Sequence, residues 1–422
     1  MKRRALLAGG VSAFATGLAA GAPLLGGAKP HVIVVGGGYG GATAAKYLQL
    51  WGEGRVAITL VEPNAAFVSC PLSNLVLSGT RQLAELTLDY SGLAARGISV
   101  VRDSAVAIDT GQRSLRLAGG QTLPYDKLVL SPGVDFMWEQ LPGLQSAEAQ
   151  ARVPHAWKAG PQTLALRAQL QAMPDGGVFA MSVPLAPFRC PPAPYERACQ
   201  VALYLSRSKP KSKLLILDAN EDVVAESRQF KRLWAERYPG MVDYRPNFSL
   251  ADVHADTLTA VSEFDDQVKA DVLNVIPPQR AADVAVRAGL ANINKRWCEV
   301  DFLSFASTQA KDVHVLGDAV QIAPAMAKAA HMANQHAKAC AAAVLDGLEG
   351  RPLNDQAMLT SVCYSFVSDK EVLHVAGVHA YDAAKKTYLQ VPGTGGASAM
   401  PSEAEAGHAM AWAHNIWDDA LR

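Results

Sequence analysis

The chain has 422 residues, half of them hydrophobic and 18% charged, so it is long and apolar enough for two or three domains with cores of their own and is not a disordered chain. Lys+Arg and Asp+Glu both number 39; a formal net charge of zero excludes the basic excess of a nucleic-acid binder and attachment to membranes by charge alone. Six cysteines are too few for a disulfide scaffold, and the absence of a CxxCH run means that the chain attaches no c-type haem of its own.

In chain order, a basic start with adjacent Arg3 and Arg4, then Leu6, Leu7 and an Ala/Gly-rich run to about Ala28, fits a twin-arginine export signal over residues 1–28. Gly17, Gly21 and Pro23 interrupt its apolar part, a poor membrane span, so no integral membrane segment is expected in the mature chain. Export of a folded protein implies a periplasmic location, where disulfides persist.

His31 to Val35 reads as a strand feeding Gly36-Gly37-Gly38-Tyr39-Gly40-Gly41, with a helix from Ala42 to Leu50. Gly36, Gly38 and Gly41 match GxGxxG: a tight turn, close approach of a pyrophosphate, and helix-on-strand packing, with the helix N-terminus favouring phosphate charge. A second strand, Val56 to Val61, ends in Glu62, placed to accept hydrogen bonds from ribose hydroxyls. Strand, glycines, helix, strand and acid in this order predict a dinucleotide site. Cys70 follows eight residues after Glu62; the residues alone leave it open as a disulfide partner, a buried thiol or a reactive one. Tyr125 to Gly133 reads as a strand leaving this domain.

Gly177 to Val183 and Lys213 to Leu217 with Asp218 read as strands of a second nucleotide-type domain. Between them five prolines from Pro184 to Pro194 stand where a glycine loop would be, flanking Cys190 and followed by Glu196. Proline removes backbone donors and adds bulk, so this loop is not expected to wrap a pyrophosphate, and NAD(P) is not expected as a cofactor. Val313 to Ala319 is a strand ending in Gly317-Asp318, with a long Ala-rich helix expected from about Met326 to Leu348. This resembles the second FAD signature of flavoproteins with two dinucleotide domains; the resemblance implies FAD, with Asp318 on the ribityl chain. A linker at Gly350 to Pro352 precedes Cys363, and an amphipathic helix bearing Trp412 and Trp417 ends the chain. Cys199, Cys298 and Cys340 have no CxxC or His spacing; buried free thiols and no metal site are expected.

Taken together, the leader, Val34 to Lys46, Glu62-Pro63-Asn64, Pro154 to Gly160, Pro187 to Ala198, Ile276 to Ala281 and Cys363-Tyr364-Ser365 resemble the flavoprotein subunit of flavocytochrome c sulfide dehydrogenase, related to sulfide:quinone oxidoreductases. The resemblance implies an α/β fold: two Rossmann-like dinucleotide-binding domains of the disulfide-reductase flavoprotein type plus a C-terminal domain. The expected division is an FAD domain from 29–150 and 265–348, a degenerate NAD-type domain at 151–264, and a C-terminal interface domain at 349–422. It further implies a covalent flavin thioether at Cys70, a redox disulfide between Cys190 and Cys363, and Glu196 as a proton acceptor beside it. Sulfide would be the substrate and a separate cytochrome c subunit, carrying the haem, the electron acceptor. Two alternatives stay open: a sulfide:quinone oxidoreductase, and a non-enzymatic flavin-carrying partner of a sulfur-oxidising complex.

Overall fold

The computed structural model describes residues 29–422, so the expected export signal lies outside the described residues. Val32, Ile33 and Val34 are wholly buried, because their strand, His31–Val35, runs mid-sheet with both faces covered; such strands read as unbroken apolar runs rather than alternating ones. It pairs in parallel with Ala57–Val61 on one side and Lys127–Leu130 on the other. Ser99–Val101 and Val313–Val315 extend the two flanks, and two short antiparallel strands complete a seven-stranded sheet. The strand order therefore reverses at His31–Val35, which opens a crevice at the carboxyl ends of the strands, where open α/β sheets bind ligands.

The helix Tyr39–Gly52 starts directly from the glycine loop and lies alongside the later helix Ala330–Glu349. Small residues permit the approach: Gly40 faces Ala333 at one end and Gly52 faces Leu345 at the other. The later helix was expected from about Met326 but starts at Ala330. Ala325, directly before Met326, takes φ +59°, outside the helical region. The buried Lys328 amine instead gathers the preceding turn by donating to the carbonyls of Asp318 (2.9 Å) and Val320 (2.5 Å).

The second sheet has four parallel strands in the order Val242–Arg245, Lys213–Asp218, Val178–Val183, Val272–Val275. The expected boundary of this domain at 264/265 is therefore too early. Gln267–Lys269 pairs with Thr259–Ser262, and Val272–Val275 pairs with Val178–Val183, so the chain returns to the first domain only after Val275. Apolar alternation in this stretch does not reveal which sheet a strand joins.

The C-terminal region forms an antiparallel sheet from Met358–Phe366, Val372–Asp382 and Thr387–Gln390, followed by the helix Glu403–Leu421. Ser402 caps that helix by accepting from the Glu405 N–H at 3.2 Å. The helix docks on Tyr39–Gly52: Lys46 donates to the Asp418 carbonyl (2.8 Å), Tyr47 to the Asp419 carboxylate (2.5 Å) and Trp417 to the Tyr39 hydroxyl (3.0 Å). Trp417 is buried and Trp412 half-buried, so the tryptophans expected in this helix turn toward the first domain. No helix among the described residues is long and apolar enough to cross a membrane.

Candidate active site

A cavity of about 540 Å³ opens in the crevice, and every expected site residue except Gly41 lines it. Its floor is the glycine loop. Gly36 has φ +96°, which lets the loop turn off the strand end. A side chain at Gly38 would meet no protein atom within 4 Å, so this backbone lies open to the cavity, as a pyrophosphate cradle requires. Gly41 sits behind the loop, where an added Cβ would be 1.8 Å from the Gly36 carbonyl oxygen. Glu62 ends the second strand, with Oε2 accepting from the Gly37 N–H (2.7 Å) and Oε1 from the Asn64 N–H (2.8 Å) and side-chain amide (2.6 Å). The acid is thus tied to the phosphate loop and held at the edge where a ribose would lie.

Opposite the loop, Gly317 (φ +73°) and Asp318 form one tight turn. Asp318 Oδ1 is buried with no hydrogen-bond partner among the described residues. A buried acceptor without a donor is costly. A ribityl hydroxyl would supply the donor, so the residues present fit FAD. Burial pushes the Asp318 carboxyl above its ordinary range, while Arg189 and Lys328 pull it down. Lys328 itself is pushed down to about 7 by burial.

Three cysteines line the same cavity. The proline loop presents Cys190 at φ +57°, pinned by its N–H donating to the Lys328 carbonyl at 2.7 Å. The helix Ala193–Ser208 begins three residues later and carries Glu196 in its first turn. Cys363, from the strand Met358–Phe366, lies beside Cys190 in the cavity wall, its thiol close enough to act on that of Cys190, and both are free thiols. That contact, then burial, raises the Cys190 thiol well above its ordinary range. Cys70 lies on the wall by Arg189. Burial alone would lower the Arg189 guanidinium, but Cys70, Asp318 and Cys190 around it hold it firmly charged.

Glu196 is buried, its Oε1 accepting from the Phe366 N–H (2.9 Å) and Oε2 from the Asn74 amide (2.7 Å). Burial pushes its carboxyl up to about 7, against the pull of these two donors and of Arg197. A group with this affinity exchanges protons near neutrality, as a proton acceptor should. Because the folded value exceeds the unfolded one, stability is fully present below about pH 4.5 and is lost as pH rises to about 7. Glu226, also pushed up to about 7 by burial, adds a second such slope. Denaturant melts at pH 5 and pH 8 should show the stability of wild type relative to Glu196→Gln falling by up to ~3 kcal/mol over that range.

The sequence reading did not single out Asn74, Arg189, Arg197 or Tyr364. Arg197 is buried, donating to the carbonyls of His155 (2.9 Å) and Ala156 (2.6 Å) and to Asn274 (2.9 Å) and Asn74 (3.1 Å). It thereby locks Pro154–Lys158, where Trp157 and Lys158 line the cavity, to the Cys190 helix. Position next to Cys190 and Glu196 was the available signal for Arg189 and Arg197. Cys199, Cys298 and Cys340 are buried thiols; burial raises the first two to about 12 and the third further. Among the described residues no group of three His, Cys, Asp or Glu is placed to hold a metal ion.

In the second domain, the loop Pro184–Pro192 is held to the next strand's end by Asn220, which donates to the Pro184 carbonyl (3.0 Å) and accepts from the Ala186 N–H (3.1 Å). Asp218, which ends the next strand at the position of a ribose-binding acid, is fully buried and accepts from Tyr195 (2.8 Å), Tyr244 (3.1 Å) and Asn220 (2.7 Å).

Fold and cavity define a flavoprotein of the pyridine nucleotide–disulfide oxidoreductase class, and the model of that family matches residues 30–163. Two further family models match: "Sulfide dehydrogenase [flavocytochrome c] flavoprotein chain, central" over residues 163–277 and "Flavocytochrome c sulphide dehydrogenase, flavin-binding" over residues 355–421. A sulfide dehydrogenase [flavocytochrome c] flavoprotein chain from Chlorobaculum thiosulfatiphilum is 58% identical over 46 residues, 11% of this chain and 94% of that sequence. The chain belongs to the flavocytochrome c sulfide dehydrogenase flavoprotein family. A mitochondrial sulfide:quinone oxidoreductase from Dictyostelium discoideum is 25% identical over 298 residues, 68% of this chain and 64% of that relative's length. Among solved structures, the sulfide:quinone oxidoreductase of Aquifex aeolicus superposes with TM-score 0.74 at 17% identity, covering 93% of this chain and 91% of that one, a likeness of fold.

Proposed function

We propose that the chain is the flavoprotein subunit of a sulfide dehydrogenase: it oxidises hydrosulfide through a Cys190–Cys363 disulfide and FAD, and passes electrons singly to haem on a separate cytochrome c subunit. The observation that carries this reading is the meeting of the Cys190 and Cys363 thiols in the wall of the cavity that also holds Asp318 and the glycine loop. With the pair oxidised, hydrosulfide attacks one sulfur; a new S–S bond forms, the Cys–Cys bond breaks, and the other cysteine leaves as thiolate. The S–H proton goes to the Glu196 carboxylate, which lies close enough to Cys190 to act on its titration. FAD, when bound, supplies the two-electron acceptor; Glu62, the glycine loop and Asp318 would hold it. NAD(P) has no part in this reading, since prolines replace the phosphate loop and Asp218 is fully engaged by Tyr195, Tyr244 and Asn220. The reading includes export to the periplasm by the leader in residues 1–28.

The test is anaerobic titration of the flavin-loaded protein with sulfide in the absence of nicotinamide. Stoichiometric bleaching of the flavin supports the reading, and bleaching by NADH but not by sulfide overturns it. A quinone acceptor is the second reading, favoured by the 298-residue match to a sulfide:quinone oxidoreductase. Reoxidation of the bleached flavin by a short-chain quinone but not by cytochrome c would select it.

Within this proposal Cys70 carries the flavin through a thioether, with Arg189 beside the sulfur. Trichloroacetic acid should leave yellow flavin in the wild-type pellet and release it to the supernatant from Cys70→Ser; flavin in the wild-type supernatant counts against the link.

A further inference from the structure

The loop that presents Cys190 belongs to the second domain, yet it is fastened to the first. Arg296 donates to the Pro187 carbonyl (3.1 Å), Gln279 Oε1 accepts from the Arg189 N–H (3.0 Å), and the Lys328 carbonyl accepts from the Cys190 N–H (2.7 Å). Among these three ties, the last is the one that reaches the reacting residue itself, and it fixes a cysteine held at φ +57°.

Lys328 is an odd residue for its place. It is only 3% exposed, and a lysine is almost never fully buried without a charged partner. Its amine is spent on backbone: it donates to the carbonyls of Asp318 (2.9 Å) and Val320 (2.5 Å), and it lies 3.6 Å from the centre of the buried Trp297 ring. A methionine would fill similar volume without the cost of burying an amine, so packing alone gives no reason for a lysine here. The turn that the amine gathers is the one whose Asp318 lines the flavin cavity. One residue therefore holds the cofactor turn with its side chain and the Cys190 backbone with its carbonyl.

We propose that Lys328 is a positioning residue for the reaction: it sets the Cys190 sulfur at a fixed distance from the flavin by tying the Cys190 loop and the Gly317-Asp318 turn to one short segment. Without the amine, the segment that carries the Lys328 carbonyl is released from the turn, and the Cys190 N–H loses a fixed acceptor. A misplacement of ~1 Å between reacting groups costs up to about 10²-fold in rate, so the tie has a measurable consequence. Lys328 acts through Cys190 and Asp318, and no bond to it forms or breaks. This inference rests on the reading of Cys190 and Cys363 as the reacting pair.

The experiment compares wild type, Lys328→Met and Lys328→Arg as flavin-loaded full-length protein, with rates taken per bound flavin. Stopped-flow bleaching by sulfide should slow about tenfold or more in Lys328→Met and recover most of its rate in Lys328→Arg, which restores the donors. In a second measurement each protein is reduced with dithiothreitol, labelled with iodoacetamide and mapped peptide by peptide. Lys328→Met should label faster than wild type at Cys190 and at the wild-type rate at Cys363, with Cys199, Cys298 and Cys340 still protected. Faster labelling of those three buried cysteines as well would make the lysine merely structural and overturn the proposal. Wild-type bleaching together with wild-type labelling also overturns it. Wild type inert to sulfide, with labelling raised at Cys190 alone in Lys328→Met, sinks the sulfide reading and keeps the positioning role. Lys328→Gln, which keeps a donor without the charge, replaces the methionine variant if that one does not fold and is read by the same two measurements.

Discussion

Replacing Cys190 with alanine should abolish bleaching of the flavin by sulfide, by at least about 10³-fold, while leaving the flavin in place. The size follows from the proposed chemistry, in which hydrosulfide breaks a Cys190–Cys363 bond: without Cys190 that bond cannot form, and Cys363 alone offers no disulfide sulfur to attack. Retention of flavin follows from the geometry. The contact that fixes Cys190 is made by its backbone N–H to the Lys328 carbonyl, and alanine keeps that donor. Cys190 already bears a Cβ at φ +57°, so alanine brings no new backbone strain. Stopped-flow bleaching and the flavin-to-protein absorbance ratio, measured on one sample, check both halves. A variant that still bleaches at the wild-type rate would dissociate the cysteine pair from the reaction.

Gly41→Ala should strip the protein of flavin and lower its melting temperature. The new methyl carbon would stand 1.8 Å from the Gly36 carbonyl oxygen and 2.9 Å from its carbon. Both neighbours are backbone, and no rotamer change relieves the overlap; the loop and the helix Tyr39–Gly52 have to separate. Overpacking of this kind costs ~1–3 kcal/mol and more when backbone must move. Gly38→Ala is the informative contrast, since no protein atom lies within 4 Å of its added methyl. It should melt like wild type yet bind flavin weakly, because the methyl enters the space where the pyrophosphate would lie. Wild-type flavin content in Gly38→Ala would mean that the loop is not the phosphate cradle.

Much of this site was legible before any coordinates. The run from His31 to Glu62 predicts strand, loop, helix, strand and acid from period, glycine spacing and one carboxylate, all within a stretch where local pattern and local geometry coincide. Gly317-Asp318 was legible for the same reason. The helix expected from Met326 failed because its apolar pattern carries no sign that Lys328 folds back to hold the preceding turn. The return at Val275 failed because β pairing is a long-range choice: Val272–Val275 has the same apolar character in either sheet.

The cysteine count shows the same division. Sequence alone determined six cysteines without a scaffold, no c-type haem motif, a balanced charge and a proline loop where a phosphate loop would stand. Those are properties of composition and spacing, fixed by the order of residues. Which cysteines meet was decided only in three dimensions, because Cys190 and Cys363 lie in separate elements 173 positions apart and are joined by the docking of the C-terminal sheet on the Cys190 helix. The same docking sets Phe366 on one oxygen of Glu196, the first domain's Asn74 takes the other, and the resulting burial pushes its carboxyl up to about 7. Burial is a property of the assembled neighbours, so no local pattern in the chain carries it.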